Sequence, residues 1–341
     1  MVRFLLQIPI QTPQLRTILE GAIQLQAQGK NELDDTLIPL PPGGGGGGYN
    51  PPLPQPDLDI YPKTKSRMGI KAVLHHYKPS TLPFSQREPF NNYIHKPYLG
   101  CANSALAAFL SHYRIPTKIT VKKTGNVTYM DWDKLWKNYS TRNWQKYVLD
   151  EKDLSHQVAE MCNYIFYSHP RVWVIPDEEG TGVFPIRVRQ FLEKMNFKTV
   201  YKDYHEDEIL DYLSEYHRPV LMYGEASFWE RHYWVIDGVL EFRYYVTHYI
   251  QRSKDSPWEI ESTEDLDDRV KLIHCNWGWS EGKCNGYFYP QMLRPNIDPY
   301  PDDIWYPQNK SNKTEDYTRN AKAFYTYSEG QDLKWEWTKE E

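Results

Sequence analysis

One cysteine stands where the start of a helix would activate a nucleophile. Cys101 follows Gly100 and opens a run of small residues and good helix formers that continues to Tyr113, before Pro116 ends it. A thiol at a helix N-terminus lies against unpaired N–H groups and the positive end of the helix dipole, which favour its thiolate. Taken alone, a cysteine on such an alanine-rich helix is more often a small buried packing residue. The assignment therefore depends on partners elsewhere in the chain.

A cysteine nucleophile needs a base, and the base needs a group that holds its ring. Among 11 histidines, His232 begins the apolar run 233–236, which predicts a strand from whose edge a side chain can be aimed. Asn276 can accept a hydrogen bond from an imidazole, and Trp277 and Trp279 can screen that bond from water. The alternatives are an ordinary histidine at a strand edge and a tryptophan-rich core strand that ends in a turn at Gly278.

The elements that would position these residues follow the α+β order, with helices first and strands later. We expect a hairpin over 121–129 and helices over 101–113, 154–166, 186–195 and 208–216. Cys162 falls on the packing face of the second of these helices. Strand patterns over 219–223, 233–237, 243–250 and 270–277 predict an antiparallel sheet, and the acidic stretch 259–268 is interpreted as a solvated loop between two strands.

The first 69 residues differ from the rest in composition. Residues 1–38 form an N-terminal segment with one amphipathic helix over 13–29, interpreted as the remnant of a pro-segment, a docking helix or, preferably, an ordered tail. Residues 39–69 contain six consecutive glycines among prolines and are predicted to be a linker. We expect the globular domain to occupy 70–341, and we assign no role to the tail 290–341.

Composition excludes several classes of function. A net charge of −5 without a basic stripe argues against nucleic-acid binding. The apolar run at the N-terminus is too short for a signal peptide or a membrane span. With 27 Tyr and 12 Trp, the chain resembles extracellular proteins that bind polymers or peptides.

The remaining cysteines and histidines suggest no cofactor. The histidine and cysteine pairs His75-His76 and His274-Cys275 are adjacent in sequence, so on a strand they point to opposite faces and do not predict a metal site. At most one disulfide is expected among the four cysteines, with Cys275 and Cys284 the nearest in sequence. We therefore predict neither a metal nor another cofactor.

The three stretches around Cys101, His232 and Asn276 resemble, in order and spacing, the streptopain family of bacterial papain-like cysteine proteases. That family carries its site on a Gly-Cys-Val-Ala-Thr-Ala-like helix start, a Gly-His-Ala-Phe-Val-like strand and an Asn-Trp-Gly-Trp strand. His232 lies 131 residues after Cys101, a separation within the papain-like range. Weaker matches within 83–288 lie at 84–91 (Phe-Ser-Gln-Arg-Glu-Pro-Phe-Asn), 130–133 (Met-Asp-Trp-Asp), 179–182 (Glu-Gly-Thr-Gly), 218–220 (Arg-Pro-Val) and 285–288 (Asn-Gly-Tyr-Phe).

The resemblance implies a papain-like fold, in which a helical subdomain with the nucleophilic cysteine packs against an antiparallel β subdomain with the histidine and asparagine. It implies that Cys101 is the nucleophile, His232 the general base and later acid, and Asn276 the residue that orients His232. Gln86 would donate its side-chain N–H to the oxyanion together with the backbone N–H of Cys101. By the same resemblance, the segment Gly180-Thr181-Gly182 would present its backbone to an extended peptide substrate. Secretion or display at the cell surface, and control by a pro-segment or an inhibitor protein, are also implied.

The chain departs from the family pattern beside the histidine. Arg231 replaces a glycine and Tyr233 a small residue, while Phe84 replaces a tryptophan and Ser280-Glu281 a glycine pair. Because every side chain expected to act is retained, the sequence predicts a cysteine endopeptidase. The bulk and charge beside His232 motivate one alternative, a degenerate papain-like protein that binds peptides or glycans. A second alternative is an amidase or transferase that uses the same pair on a non-peptide substrate.

Overall fold

The computed structural model describes most of the chain after residue 60. The described residues are 61–94, 96–137, 139, 144–168, 173–174, 181–226, 230–279, 285–291, 293, 317, 319–327 and 336–339. The predicted N-terminal helix, the glycine run, Gly180 and Cys284 lie outside them. The predictions that fall on those residues stay predictions. Cys275, which with Cys284 is the cysteine pair nearest in sequence, is a free thiol in the structure.

The described residues form six helices and twelve strands. The helices are α1 (Cys101–His112), α2 (Trp132–Lys137), α3 (Trp144–Asp150), α4 (Lys152–Ser168), α5 (Pro185–Lys194) and α6 (Glu206–Tyr216). The strands are β1 (Lys63–Tyr77), β2 (Lys118–Val121), β3 (Val127–Tyr129), β4 (Trp173–Val174), β5 (Thr181–Gly182), β6 (Lys198–Asp203), β7 (Val220–Glu225), β8 (Arg231–Gln251), β9 (Glu259–Asn276), β10 (Gly286–Phe288), β11 (Arg319–Tyr327) and β12 (Glu336–Lys339).

A large antiparallel sheet dominates the fold, with strand order β10-β9-β8-β7-β11-β6 and β1 paired to β8. The predicted α+β class is therefore confirmed. The predicted helices appear as α1, α4, α5 and α6, and the predicted hairpin as the antiparallel pair β2 and β3. The tail 290–341, for which the sequence predicts no role, supplies β11 between β7 and β6, and β12 beside β2.

Two sequence predictions about the strands are wrong. The runs 233–237 and 243–250 belong to one strand, β8, and the acidic stretch 259–268 is the first half of β9 rather than a loop. Acidic residues are depleted in strands, but here the side chains of Glu259, Glu261, Glu264 and Asp265 are exposed while the backbone stays extended. The hydroxyls of Thr263 and Thr247 lie 3.5 Å apart, and Lys71 Nζ lies 2.8 Å from Asp265 Oδ2. These cross-strand contacts outweigh the low strand propensity of the acidic residues.

The chain divides into two compact units. One consists of Met1–Lys71 and Tyr244–Asp268, and the other of Ala72–Arg243 and Arg269–Glu341. In the first unit, Lys65 Nζ lies 4.1 Å from the centre of the Trp258 ring. Residues 63–69 of the predicted linker form the beginning of β1, and the predicted division into domains otherwise stays untested.

Within the second unit, β8 is buried on both faces. Tyr233 and Val235 pack in the core cluster that includes residues of α1, α4 and α5. Trp234 and Ile236, which alternate with them, pack in the cluster that includes residues of α6 and β9. A strand covered on both sides is fixed in its register, because a shift by one residue would exchange the two faces. His232, at the start of β8, is therefore held in a fixed register.

Among the described residues, none of the helices has the length and apolar character that crossing a membrane requires.

Candidate active site

The first turn of α1 carries Cys101, as the sequence predicts. The chain enters the helix through Gly100, whose φ of 92° lies in the region that favours glycine. The carbonyl of Gly100 accepts the backbone N–H groups of Asn103 and Ser104, each at 3.1 Å. Cys101 is half-buried, so its thiol lies at the edge of the core rather than within it. This is the position in which the helix dipole favours a thiolate.

Gln86 is tied to the same helix start through the backbone. The N–H of Leu99 donates to the carbonyl of Gln86 at 2.8 Å, and the side chain of Asn103 donates to the carbonyl of Leu99 at 2.7 Å. Gln86 is half-buried. The structure thus connects the predicted oxyanion glutamine to a residue two positions before Cys101.

His232 is buried at the beginning of β8, opposite Gly224 of β7. Its Nε2 lies 2.8 Å from the carbonyl oxygen of Trp277. Since a carbonyl can only accept, this contact places the ring proton on Nε2 and leaves Nδ1 as the acceptor nitrogen of the neutral ring. The hydrogen bond to Trp277 therefore fixes both the tautomer and the direction of the imidazole.

Four aromatic rings surround this imidazole. Their centres lie between 5.3 and 6.4 Å from that of His232, in the order Trp279, Tyr317, Trp277 and Trp234. Tyr317 belongs to the tail and was missed by the sequence analysis, because nothing local indicates that it would fold back on the histidine. A Cβ at Gly224 would lie 2.3 Å from the Tyr317 carbonyl oxygen, so the close approach requires glycine there.

The turn after β9 brings the histidine side of the site to the helix. Gly278 has a φ of 69°, and a Cβ built on it would lie 2.8 Å from the Ser104 hydroxyl, one turn along α1 from Cys101. The adjacent residue, Trp277, supplies the carbonyl that His232 contacts. The structure thus brings the segments that carry Cys101 and His232 together around one tight turn.

Asn276 bridges the end of β9 and the loop before α1. Its Nδ2 donates to the Thr81 hydroxyl and to the Leu82 carbonyl, both at 3.0 Å. Its Oδ1 accepts the Gly278 N–H at 3.4 Å and the Asn285 side-chain N–H at 3.1 Å. Asn276 is 2 % exposed, so its bonds to Thr81, Leu82 and Gly278 are protected from water. Its role in orienting His232 stays a prediction.

Residues beside the histidine adopt distinct positions. Arg231 is exposed, with Nε 3.4 Å from Glu225 Oε1 on the neighbouring strand. Tyr233 is buried, and its hydroxyl donates to the Val183 carbonyl at 2.8 Å. Burial, and to a lesser extent the nearby Cys101, raise the pKa of Tyr233 well above its usual value, so it serves as a neutral donor.

Of the predicted substrate-binding segment, the structure describes Thr181 and Gly182. Both form β5, which pairs with β4 through Gly182 and Trp173. Val183 follows directly and receives the Tyr233 hydroxyl. The segment is therefore attached to β8 one residue from His232, while Gly180 lies outside the described residues.

Two other cysteines contrast with Cys101. Cys162 and Cys275 are fully buried, and burial raises the pKa of each thiol well above its usual value. A protonated, inaccessible thiol is a poor nucleophile. The described residues also include no group of three or more His, Cys, Asp or Glu side chains arranged to hold a metal ion.

Comparison with known proteins identifies one family. The Peptidase C10 family model matches residues 84–288. The matched range contains Gln86, Cys101, His232 and Asn276. No curated protein matches the chain.

Proposed function

Because this chain belongs to the Peptidase C10 family, a family of cysteine peptidases, we propose that it is a papain-like endopeptidase that cleaves peptide bonds through a thioester on Cys101. The observation that carries the proposal is the turn at Gly278, which packs on the helix of Cys101 while the preceding carbonyl contacts His232. A nucleophile at a helix start and a base held in one tautomer are what acyl transfer by a cysteine requires.

In the proposed reaction, His232 Nδ1 takes the proton of the Cys101 thiol while the sulfur attacks the carbonyl carbon of the substrate. The negative charge that develops on the carbonyl oxygen is stabilised by the backbone N–H of Cys101 and the side-chain N–H of Gln86. His232 then gives its proton to the departing amine as the C–N bond breaks. A thioester on Cys101 remains.

Hydrolysis of the thioester repeats these roles with water as the nucleophile. His232 takes a proton from the water, the hydroxide attacks the acyl carbon, and the C–S bond breaks with return of the proton to Cys101. The aromatic rings around His232 exclude bulk water from the hydrogen bond to Trp277. That exclusion keeps the imidazole aligned through both half-reactions.

Casein hydrolysis by the full chain tests the proposal. We expect turnover by the wild-type protein and by Cys162→Ala, and loss of turnover in Cys101→Ala. Folded wild-type protein without turnover would contradict the proposal and favour the alternative of a degenerate peptide- or glycan-binding protein. A screen of non-peptide esters and amides distinguishes the amidase or transferase.

Family membership also supports two broader proposals. The family comprises secreted bacterial proteases, and we propose that this protein acts outside the cell on protein substrates. We further propose that a pro-segment or an inhibitor protein controls its activity before release. Fractionation of producing cells, followed by detection of the protein in the medium or the pellet, tests the first of these.

A further inference from the structure

A buried carboxylate lies behind the candidate site. Asp237 of β8 is fully buried, and its Oδ2 accepts the backbone N–H groups of Ser80 and Thr81 at 3.2 and 2.9 Å. The Thr81 hydroxyl donates to the same oxygen at 2.5 Å, and His274 Nδ1 lies 2.6 Å from Oδ1. Burying a carboxylate is costly unless each of its oxygens is hydrogen-bonded. The groups around Asp237 must therefore be held where they can form these bonds.

The Thr81 hydroxyl links Asp237 to Asn276 and determines how the Asn276 amide is oriented. A hydroxyl has one proton, and that of Thr81 is committed to Asp237. The oxygen can therefore only accept from Asn276, which requires the amide nitrogen to face it. The Leu82 carbonyl also accepts a hydrogen bond from that nitrogen and so requires the same orientation of the amide. With Nδ2 fixed on this side, Oδ1 must point to the opposite side, towards the turn at Gly278.

That turn contains the peptide unit that contacts the histidine. Asn276 Oδ1 accepts the N–H of Gly278, and the C=O of the same peptide unit belongs to Trp277 and contacts His232 Nε2. In a planar trans peptide the N–H and C=O groups point in opposite directions. A side chain that holds the N–H on one side therefore aims the C=O at the imidazole on the other.

We propose that Asp237 and Thr81 are positioning residues for His232, which act through Asn276 and the peptide unit between Trp277 and Gly278. The proposal rests on the proposed function in taking His232 as the base. It gives Asn276 an indirect route to the imidazole, through the backbone of its own turn. Hydrogen bonds in such a chain polarise one another in a buried site. Removal of the Thr81 or Asp237 hydrogen bond should therefore weaken the contact that holds His232.

Thr81→Val and Thr81→Ser form the matched pair that tests this. Valine keeps the shape of threonine and loses the hydroxyl, while serine keeps the hydroxyl. With a peptide substrate, we expect Thr81→Val to lower kcat about tenfold with KM within about twofold, because the base is displaced from its attacking geometry. Thr81→Ser is expected to stay close to wild type. The rate at which iodoacetamide alkylates Cys101 at pH 7 should fall in parallel in Thr81→Val alone.

A merely structural role predicts a different pattern. Tyr212→Phe removes another buried hydroxyl, which donates to the Thr326 carbonyl of β11 at 2.5 Å, and should lower the melting temperature without changing kcat or alkylation. Equal kcat and equal alkylation rates in Thr81→Val and Thr81→Ser would overturn the proposal. If Thr81→Val fails to fold, Asp237→Asn provides the second variant, with the same fall expected. A wild-type chain without turnover would reject the proposed function, whereas the alkylation rates would still judge the positioning role.

Discussion

At the scale of single residues, the three described cysteines differ in the reactivity that their surroundings allow. Cys101 lies half-buried at a helix start, while Cys162 and Cys275 are fully buried with raised pKa values. Only a thiolate reacts rapidly, so burial suppresses the second and third thiols both by protonation and by exclusion of the reagent.

We predict that iodoacetamide labels the folded protein at Cys101 at least tenfold faster than at Cys162 or Cys275. Peptide mapping by mass spectrometry after brief labelling at pH 7 measures the three rates. In denaturant the three thiols should react at similar rates, which serves as the control. Preferential labelling of Cys162 in the folded protein would refute the assignment of Cys101 as the nucleophile.

Gln86 allows a second prediction at this scale. If its side chain donates to the oxyanion, Gln86→Ala should lower kcat by about 100-fold while KM changes little, because the bond forms only as the charge develops. Steady-state kinetics on a peptide substrate measure both constants. Gln145→Ala is the control, since the Gln145 side chain donates to the Glu88 carbonyl nearby on an exposed surface. An equal loss in both variants would show that Gln86 acts on the local structure instead.

At the scale of elements, the tight turn at Gly278, which follows β9, packs closely against Ser104 of α1. Gly278 and Gly125 both have positive φ, at 69° and 71°, but a Cβ at Gly278 would strike the Ser104 hydroxyl whereas one at Gly125 would meet nothing within 4 Å. A substitution at Gly125 therefore tests only the energetic cost of the left-handed backbone conformation. A substitution at Gly278 adds the cost of a steric clash.

We predict that Gly125→Ala lowers the free energy of unfolding by about 1 kcal/mol, the cost of the left-handed conformation alone. Gly278→Ala should lower it further and also reduce kcat, since the turn that aims the Trp277 carbonyl must shift. Urea unfolding and steady-state kinetics provide the two readouts. Ser104→Ala combined with Gly278→Ala should recover part of the loss, and a Gly278→Ala protein with unchanged kcat would contradict this role for the turn.

The same scale shows what sequence could and could not predict. The helix of Cys101 and the strand of His232 have strong local patterns, a small-residue helix start and an apolar run. Both elements form, although the strand continues well beyond the predicted run 233–237. Thr81 and Asp237 meet across 156 residues, and neither has a neighbouring pattern that indicates the contact. The acidic half of β9 was misread because its strand conformation comes from pairing with partners distant in the chain rather than from its own composition.

At the scale of the whole molecule, the tail completes both the sheet and the surroundings of the histidine. β11 lies between β7 and β6 and pairs with both, so its removal would leave one edge of β7 unpaired and would detach β6 from the sheet. Tyr317, just before β11, packs its ring against His232 and Trp277. β12 has a smaller role, in which Trp337 is buried against Tyr164 with ring centres 4.2 Å apart.

Two truncations separate these contributions. A chain that ends at residue 316 lacks Tyr317, β11 and β12, and we predict that it shows no cooperative unfolding transition, because the core loses the buried side chains of Ala323, Phe324 and Tyr325 and β7 loses a strand partner. A chain that ends at residue 330 keeps β11 and loses Trp337, so it should fold with a free energy of unfolding lower by about 3 kcal/mol, the typical cost of removing a buried aromatic ring. Circular dichroism during thermal unfolding distinguishes the two. A cooperative transition in the shorter chain would mean that the rest of the chain folds without its tail, and that the ring of Tyr317 beside His232 is dispensable for folding.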